Sequence, residues 1–165
     1  MHVKKLILPI LLLGCSGCSM MPSYIEQGPN SVADSIPMSQ PETANKLATI
    51  CNNVLSSLGP VDSSLLKYLS GQTGNEIIST KNIVSDLADA SQTVQYNLET
   101  VQSFRANATW ESRQQQIIQE LQDLKTNIDD IRDLIQEGDI EFANAIYEDF
   151  CNNLNNLKTY STGMS

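Results

Sequence analysis

Six aliphatic residues, Ile117, Leu121, Leu124, Ile128, Ile131 and Ile135, recur at spacings that alternate four and three without a slip. That is the seam of an α-helix packed along its whole length on other helices. Residues 110–137 are therefore predicted to form a helix about 42 Å long, closed by Gly138. A second run obeys the same rule: Ile77, Thr80, Val84, Leu87, Ser91, Val94, Leu98 and Val101. It predicts a helix reaching to about Ala106, started by the capping box Thr73-Gly74-Asn75-Glu76. Thr80 and Ser91 are small polar members of this seam, which weaken packing and set register. Asn107-Ala108-Thr109 reads as the turn between the two helices, with Thr109 as N-cap.

Two further helices flank this pair. Ser39-Gln40-Pro41-Glu42 is a capping box with proline in the first turn. Behind it Ala44, Leu47, Cys51, Val54 and Leu58 share one face, and Gly59-Pro60 is expected to end the helix. A short segment capped by Asp62 and carrying Leu65, Leu66 and Leu69 would then lie across the end of the bundle as a lid. Asp139 is placed as the N-cap of the last helix, in which Ala143, Tyr147 (or Ile146), Phe150, Leu154 and Leu157 face one way. No alternation of β-branched and aromatic residues suggests a strand. The fold predicted is all-α: an antiparallel up-down bundle of four main helices plus a short capping helix, spanning 39–160, with 161–165 as a frayed C-terminus.

The first residues have another character. Lys4 and Lys5 precede an apolar run from Leu6 to Leu13, then Gly14 and Cys15. A basic start, a short apolar stretch and a small residue before the break are the parts of an export signal. The run is too short for a membrane-spanning helix, which needs about 20 apolar residues. Leu12-Leu13-Gly14-Cys15 resembles the lipobox of bacterial membrane lipoproteins. The resemblance implies removal of residues 1–14 and acylation of Cys15, with Cys18 as the alternative. Ser16, or Ser19 if Cys18 is used, follows the acylated cysteine, which by the same resemblance implies the outer membrane. Residues 15–38, rich in Ser, Pro, Gly and Met, read as the acylated N-terminus and a flexible tether. A disordered tether of that length spans roughly 25–30 Å.

Charge and composition exclude several function classes. Ten basic residues become eight once Lys4 and Lys5 leave with the signal, against nineteen acidic ones, a net charge of −11. Such a chain lacks the clustered cations that nucleic acid or anionic lipid heads require. The one histidine is His2, inside the signal, so the mature part has no imidazole for catalysis or for zinc. No cofactor motif is present.

Two cysteines, Cys51 and Cys151, remain beyond the signal region. In an oxidising compartment such a pair is expected as a disulfide, joining the first and last helices; the alternative is two buried thiols. Closing a loop of about 100 residues would stabilise the fold by at most about 4–5 kcal/mol. The first helix must then start about 7 Å inside its end of the bundle to bring the cysteines level.

The remaining candidates are few. Asp129, Asp133 and Glu137 lie four apart near the end of the third main helix, a weak candidate for a divalent cation. The alternative is a solvated acidic face. Trp110, the only tryptophan, either staples the bundle end or, if exposed, anchors an interface. Together these features suggest no enzyme. They suggest a lipid-anchored module of the cell envelope, facing the periplasm and serving assembly or interaction with an envelope protein. Its general plan is similar to that of the lipid-anchored helical pilotins of secretion systems, although the mature part carries no pilotin motif. The alternatives are a periplasmic carrier of a small apolar molecule, or an interaction lipoprotein displayed at the surface.

Overall fold

The computed structural model describes residues 36–71 and 79–164. The expected signal region with Cys15 and Cys18, most of the expected tether, the expected Thr73–Glu76 capping box and Ile77 lie outside the described residues. Four helices follow in order: α1 Gln40–Leu69, α2 Thr80–Gln102, α3 Glu111–Glu137 and α4 Ile140–Thr162. No strand occurs among the described residues. α1 packs on α2 and α4, α3 packs on α2 and α4, and α1 meets α3 only slightly across the diagonal.

Cross-helix contacts fix the directions. Tyr68 meets Thr80 at one end of the α1–α2 pair and Lys46 meets Phe104 at the other, so these helices are antiparallel. Asn52 meets Ser161 and Asp62 meets Tyr147, so α1 and α4 are antiparallel too. The structure is the expected up-down all-α bundle.

The α3 seam is buried as its spacing predicts, with all six residues at most 2% exposed. In α2 the seam is shifted at its start. Ile83 is buried in place of Val84, and Thr80 is exposed, its hydroxyl pairing with that of Tyr68. A strict seven-residue repeat drifts by about 20° per heptad on a straight helix, so a face set by Leu87 to Val101 has turned away by residue 80. Ser79 caps this helix, its hydroxyl accepting from the Asn82 N–H at 3.2 Å. α2 ends at Gln102 rather than near Ala106.

The first helix departs most from expectation. Gly59-Pro60 does not end it: α1 runs for 30 residues with Pro60 inside. No separate capping helix or lid forms; Leu65, expected on that lid, is buried in the bundle as part of α1. Three features make the proline tolerable. Pro60 is on the exposed side, so the carbonyl it leaves unpaired faces water. Gly59 before it has no Cβ to clash with the proline ring. Leu58 and Leu65, both completely buried, hold the helix to the core on either side.

The ends follow local chemistry. The Glu42 carboxylate closes back on Ser39, accepting from its N–H at 3.1 Å and its hydroxyl at 2.5 Å. Gly138, with φ of 82°, ends α3 in the left-handed conformation, and Asp139 caps α4 by accepting from the Phe142 N–H. Trp110, not Thr109, occupies the position before α3. The last helix runs to Thr162. Ser161 donates to Asn52 Oδ1 at 2.7 Å, and Met164 is buried.

Candidate functional site

One end of the bundle is where the described chain begins, and it is tightly built. Met38 N–H donates to the Arg105 carbonyl at 3.1 Å. Thr43 Oγ1 donates to the Ser39 carbonyl and accepts from the Asn107 N–H at 3.1 Å. Lys46 lies over the Phe104 ring, 4.2 Å from its centre. Gln114, 5% exposed, holds the α2–α3 turn from inside. Its Nε2 donates to the carbonyls of Val101 and Phe104 at 2.7 and 2.8 Å, and its Oε1 accepts from the Ala106 N–H at 3.2 Å. The start of α1 is thereby fixed to the α2–α3 turn. The opposite end carries the end of α1, the start of α2 and the Gly138 turn.

Trp110 sits at the first of these ends, half-buried and packed against the core. Its indole Nε1 is buried and meets no acceptor among the described residues, a placement that fits the expected staple. An exposed anchor is not what the bundle presents there.

Two carboxylates of the α3 acidic group are paired with cations of their own helix. Asp129 is held by Lys125 at 2.6 Å and by Arg132 at 2.9 Å, and the same guanidinium reaches Asp133 at 2.9 Å. Glu137 is exposed. Among the described residues no set of three His, Cys, Asp or Glu converges to hold a metal. The reason was readable from spacing: Lys125 and Arg132 stand four before and three after Asp129, on its own face of the helix. Burial opposes charge on Asp129, but hydrogen bonds from Lys125 and Ser91 and the charges of Lys125 and Arg132 outweigh it and lower its pKa. The hydrogen bond to Asp133 raises Arg132, against a smaller desolvation effect.

The cysteines correct the expected disulfide: both are free thiols. Cys51 is buried in the core, and burial pushes its thiol up to about 12. Cys151 lies 3.9 Å from Asp62 Oδ1, the same oxygen that accepts from the Tyr147 hydroxyl at 2.7 Å. Burial raises both Cys151 and Tyr147. Asp62 follows Cys51 by eleven positions on α1, which separates the cysteines by about 16 Å along the bundle. Disulfide geometry needs Cα atoms within about 7 Å. The expected inset of the first helix does not occur, because α1 continues through Pro60 and spans the bundle itself.

The α1–α4 cluster of Asp62, Tyr147 and Cys151 escaped sequence reading, since Asp62 lies 85 and 89 positions from the other two and only the register joins them. The hydroxyl of Tyr147 needs a partner at that half-buried site, which is the one signal the chain carried. A thiol with a raised pKa beside a carboxylate is a poor nucleophile, so the cluster is structural.

A groove of about 560 Å³ runs between α2 and α3, bordered by Tyr96 and by the Lys125–Asp129–Arg132 set. No helix among the described residues is long and apolar enough to cross a membrane. Comparison with protein-family models, with curated proteins and with solved structures finds no match for the chain.

Proposed function

We propose that this protein is a lipid-anchored lipoprotein of the bacterial cell envelope, acting as a non-enzymatic assembly or interaction module. In this reading the lipid on Cys15, or on Cys18, holds it at the outer membrane, and the bundle faces the periplasm. The observation that carries the proposal is the run Leu12-Leu13-Gly14-Cys15 behind Lys4 and Lys5. The described chain enters at the end where Met38 and Thr43 bind the α2–α3 turn. In this reading a tether would leave from that end.

An interior filled by Leu47, Leu87, Leu121, Leu124, Ile128 and Phe150 favours an interaction module over a carrier, whose interior must open for an apolar guest. The test is crosslinking in intact cells followed by affinity recovery of the lipidated protein. One dominant envelope partner, lost when Cys15 and Cys18 are both replaced by serine, is the expected result. Mass spectrometry of the N-terminal peptide reports the acyl group separately. An unacylated protein recovered alone, under conditions where a known envelope complex is captured, overturns the proposal.

A further inference from the structure

The α2–α3 groove is built from two facing helical stripes. Ala88, Gln92, Gln95, Tyr96 and Glu99 are spaced four, three, one and three apart, which is one outward face of α2. Lys125, Asp129 and Arg132, spaced four and three, face them from α3. Ala88 and Ser91 are small, so they leave the floor low between the walls. The stripe from 88 to 99 is about 16 Å long, matching an extended trisaccharide.

Its chemistry narrows the ligand. Lys125 and Arg132 are balanced by Asp129 and Glu99, so the groove is neutral on a chain whose net charge is −9. Each cation already holds a carboxylate, which disfavours a phosphate; each of those carboxylates is already engaged, which disfavours a metal ion. Asp129 is taken by the two cations and Glu99 accepts from Gln95 at 2.7 Å. Both walls are helices with their backbone groups bonded internally, so an extended peptide finds no strand edge to join. Amides, carboxylates and ammonium or guanidinium groups side by side offer donors and acceptors together, as a row of sugar hydroxyls does. Tyr96 adds a flat apolar surface. It is 69% exposed, the most exposed aromatic side chain among the described residues. A pyranose ring carries a face of C–H groups that packs on such a ring.

We propose that this groove binds a neutral oligosaccharide, with one sugar ring stacked on Tyr96 and its hydroxyls bonded to Gln92 and the Lys125–Asp129 pair. The inference stands whether or not the chain is lipid-anchored. The test uses the purified full-length protein with three probes: triacetylchitotriose, cellotriose and maltotriose. Saturation-transfer NMR detects the bound sugar, and calorimetry measures its affinity. At least one probe is expected to bind with a dissociation constant of about 1 mM or tighter. Tyr96→Ala should weaken it about tenfold, and Tyr96→Phe should change it by less than about threefold. Phe142→Ala, which removes another exposed aromatic outside the groove, should leave binding unchanged. Helix content by circular dichroism confirms that each variant folds. The proposal fails if no probe binds at about 10 mM, or if Tyr96→Ala binds as tightly as the parent.

Discussion

Tyr147 donates to Asp62 Oδ1 at 2.7 Å, and this contact sets α4 against α1 in a register that keeps Cys51 and Cys151 apart. Cys151 shares the same carboxylate oxygen, while Cys51 lies level with the far end of α4, near Tyr160. The unfolded protein should therefore take thiol label at both Cys51 and Cys151 without reductant. Cys51→Val and Cys151→Ser should each leave the other thiol free. Labelling that appears only after reduction would mean the register is wrong.

Gln114 satisfies three backbone groups of the α2–α3 turn at once. Gln114→Leu strips those partners inside the protein and should cost about 2 kcal/mol or more, read from urea unfolding. Gln114→Glu points a carboxylate at two carbonyls in a buried site, which raises its folded pKa. A raised pKa means the folded state holds the proton longer. This variant's deficit should shrink as pH falls towards about 4 and be full near neutrality. An equal deficit at both pH values would remove Gln114 from this role.

Pro60 inside α1 lacks the N–H that would complete the helix. Pro60→Ala should raise stability by about 1–3 kcal/mol, because the helix is continuous on both sides. Gly59→Ala should then add about 1 kcal/mol in the Pro60→Ala background, where its new Cβ has open space, and much less beside the proline. If Pro60→Ala is neutral or harmful in thermal denaturation, α1 is broken at this point.

Alkaline pH should loosen the bundle through its buried thiol. Burial pushes the Cys51 thiol up to about 12 in the fold, from an ordinary value of 9.0. The folded value is raised, so its contribution is whole below pH 9 and is lost as pH rises from there towards 12. Burial raises Tyr147 and Cys151 in the same sense. The urea midpoint should fall between about pH 8 and about pH 11, and Cys51→Val should fall less steeply over that range. Identical slopes for the two proteins would show that Cys51 carries none of the effect.

The seam of α3 is where sequence and structure agree most fully. Burying six aliphatic residues along 27 helical residues is a local requirement, met by any partner helices of the right length. Truncating one of them, Leu124→Ala, should cost about 2–5 kcal/mol in the same unfolding assay. The α2 seam was legible from Leu87 onward and misread before it, because helical drift moves a face that local spacing treats as constant. The Lys125–Asp129–Arg132 set was also legible, had the cations been read with the acids.

By itself the sequence determined four amphipathic helices, their antiparallel order, the Ser39 and Asp139 caps and the Gly138 turn, because each depends on residues within a turn or two of one another. It also carries Leu12-Leu13-Gly14-Cys15 behind Lys4 and Lys5, the linear pattern on which the proposed lipid anchor rests. Only the tertiary structure decided that α1 passes through Pro60, since burial of Leu58 and Leu65 outweighs a lost hydrogen bond. It alone set the α1–α4 register that separates the cysteines and joins Asp62 to Tyr147. It alone opened the groove beside Tyr96. Register and groove depend on how side chains of distant segments interlock, and helical periodicity repeats too regularly to specify that alignment.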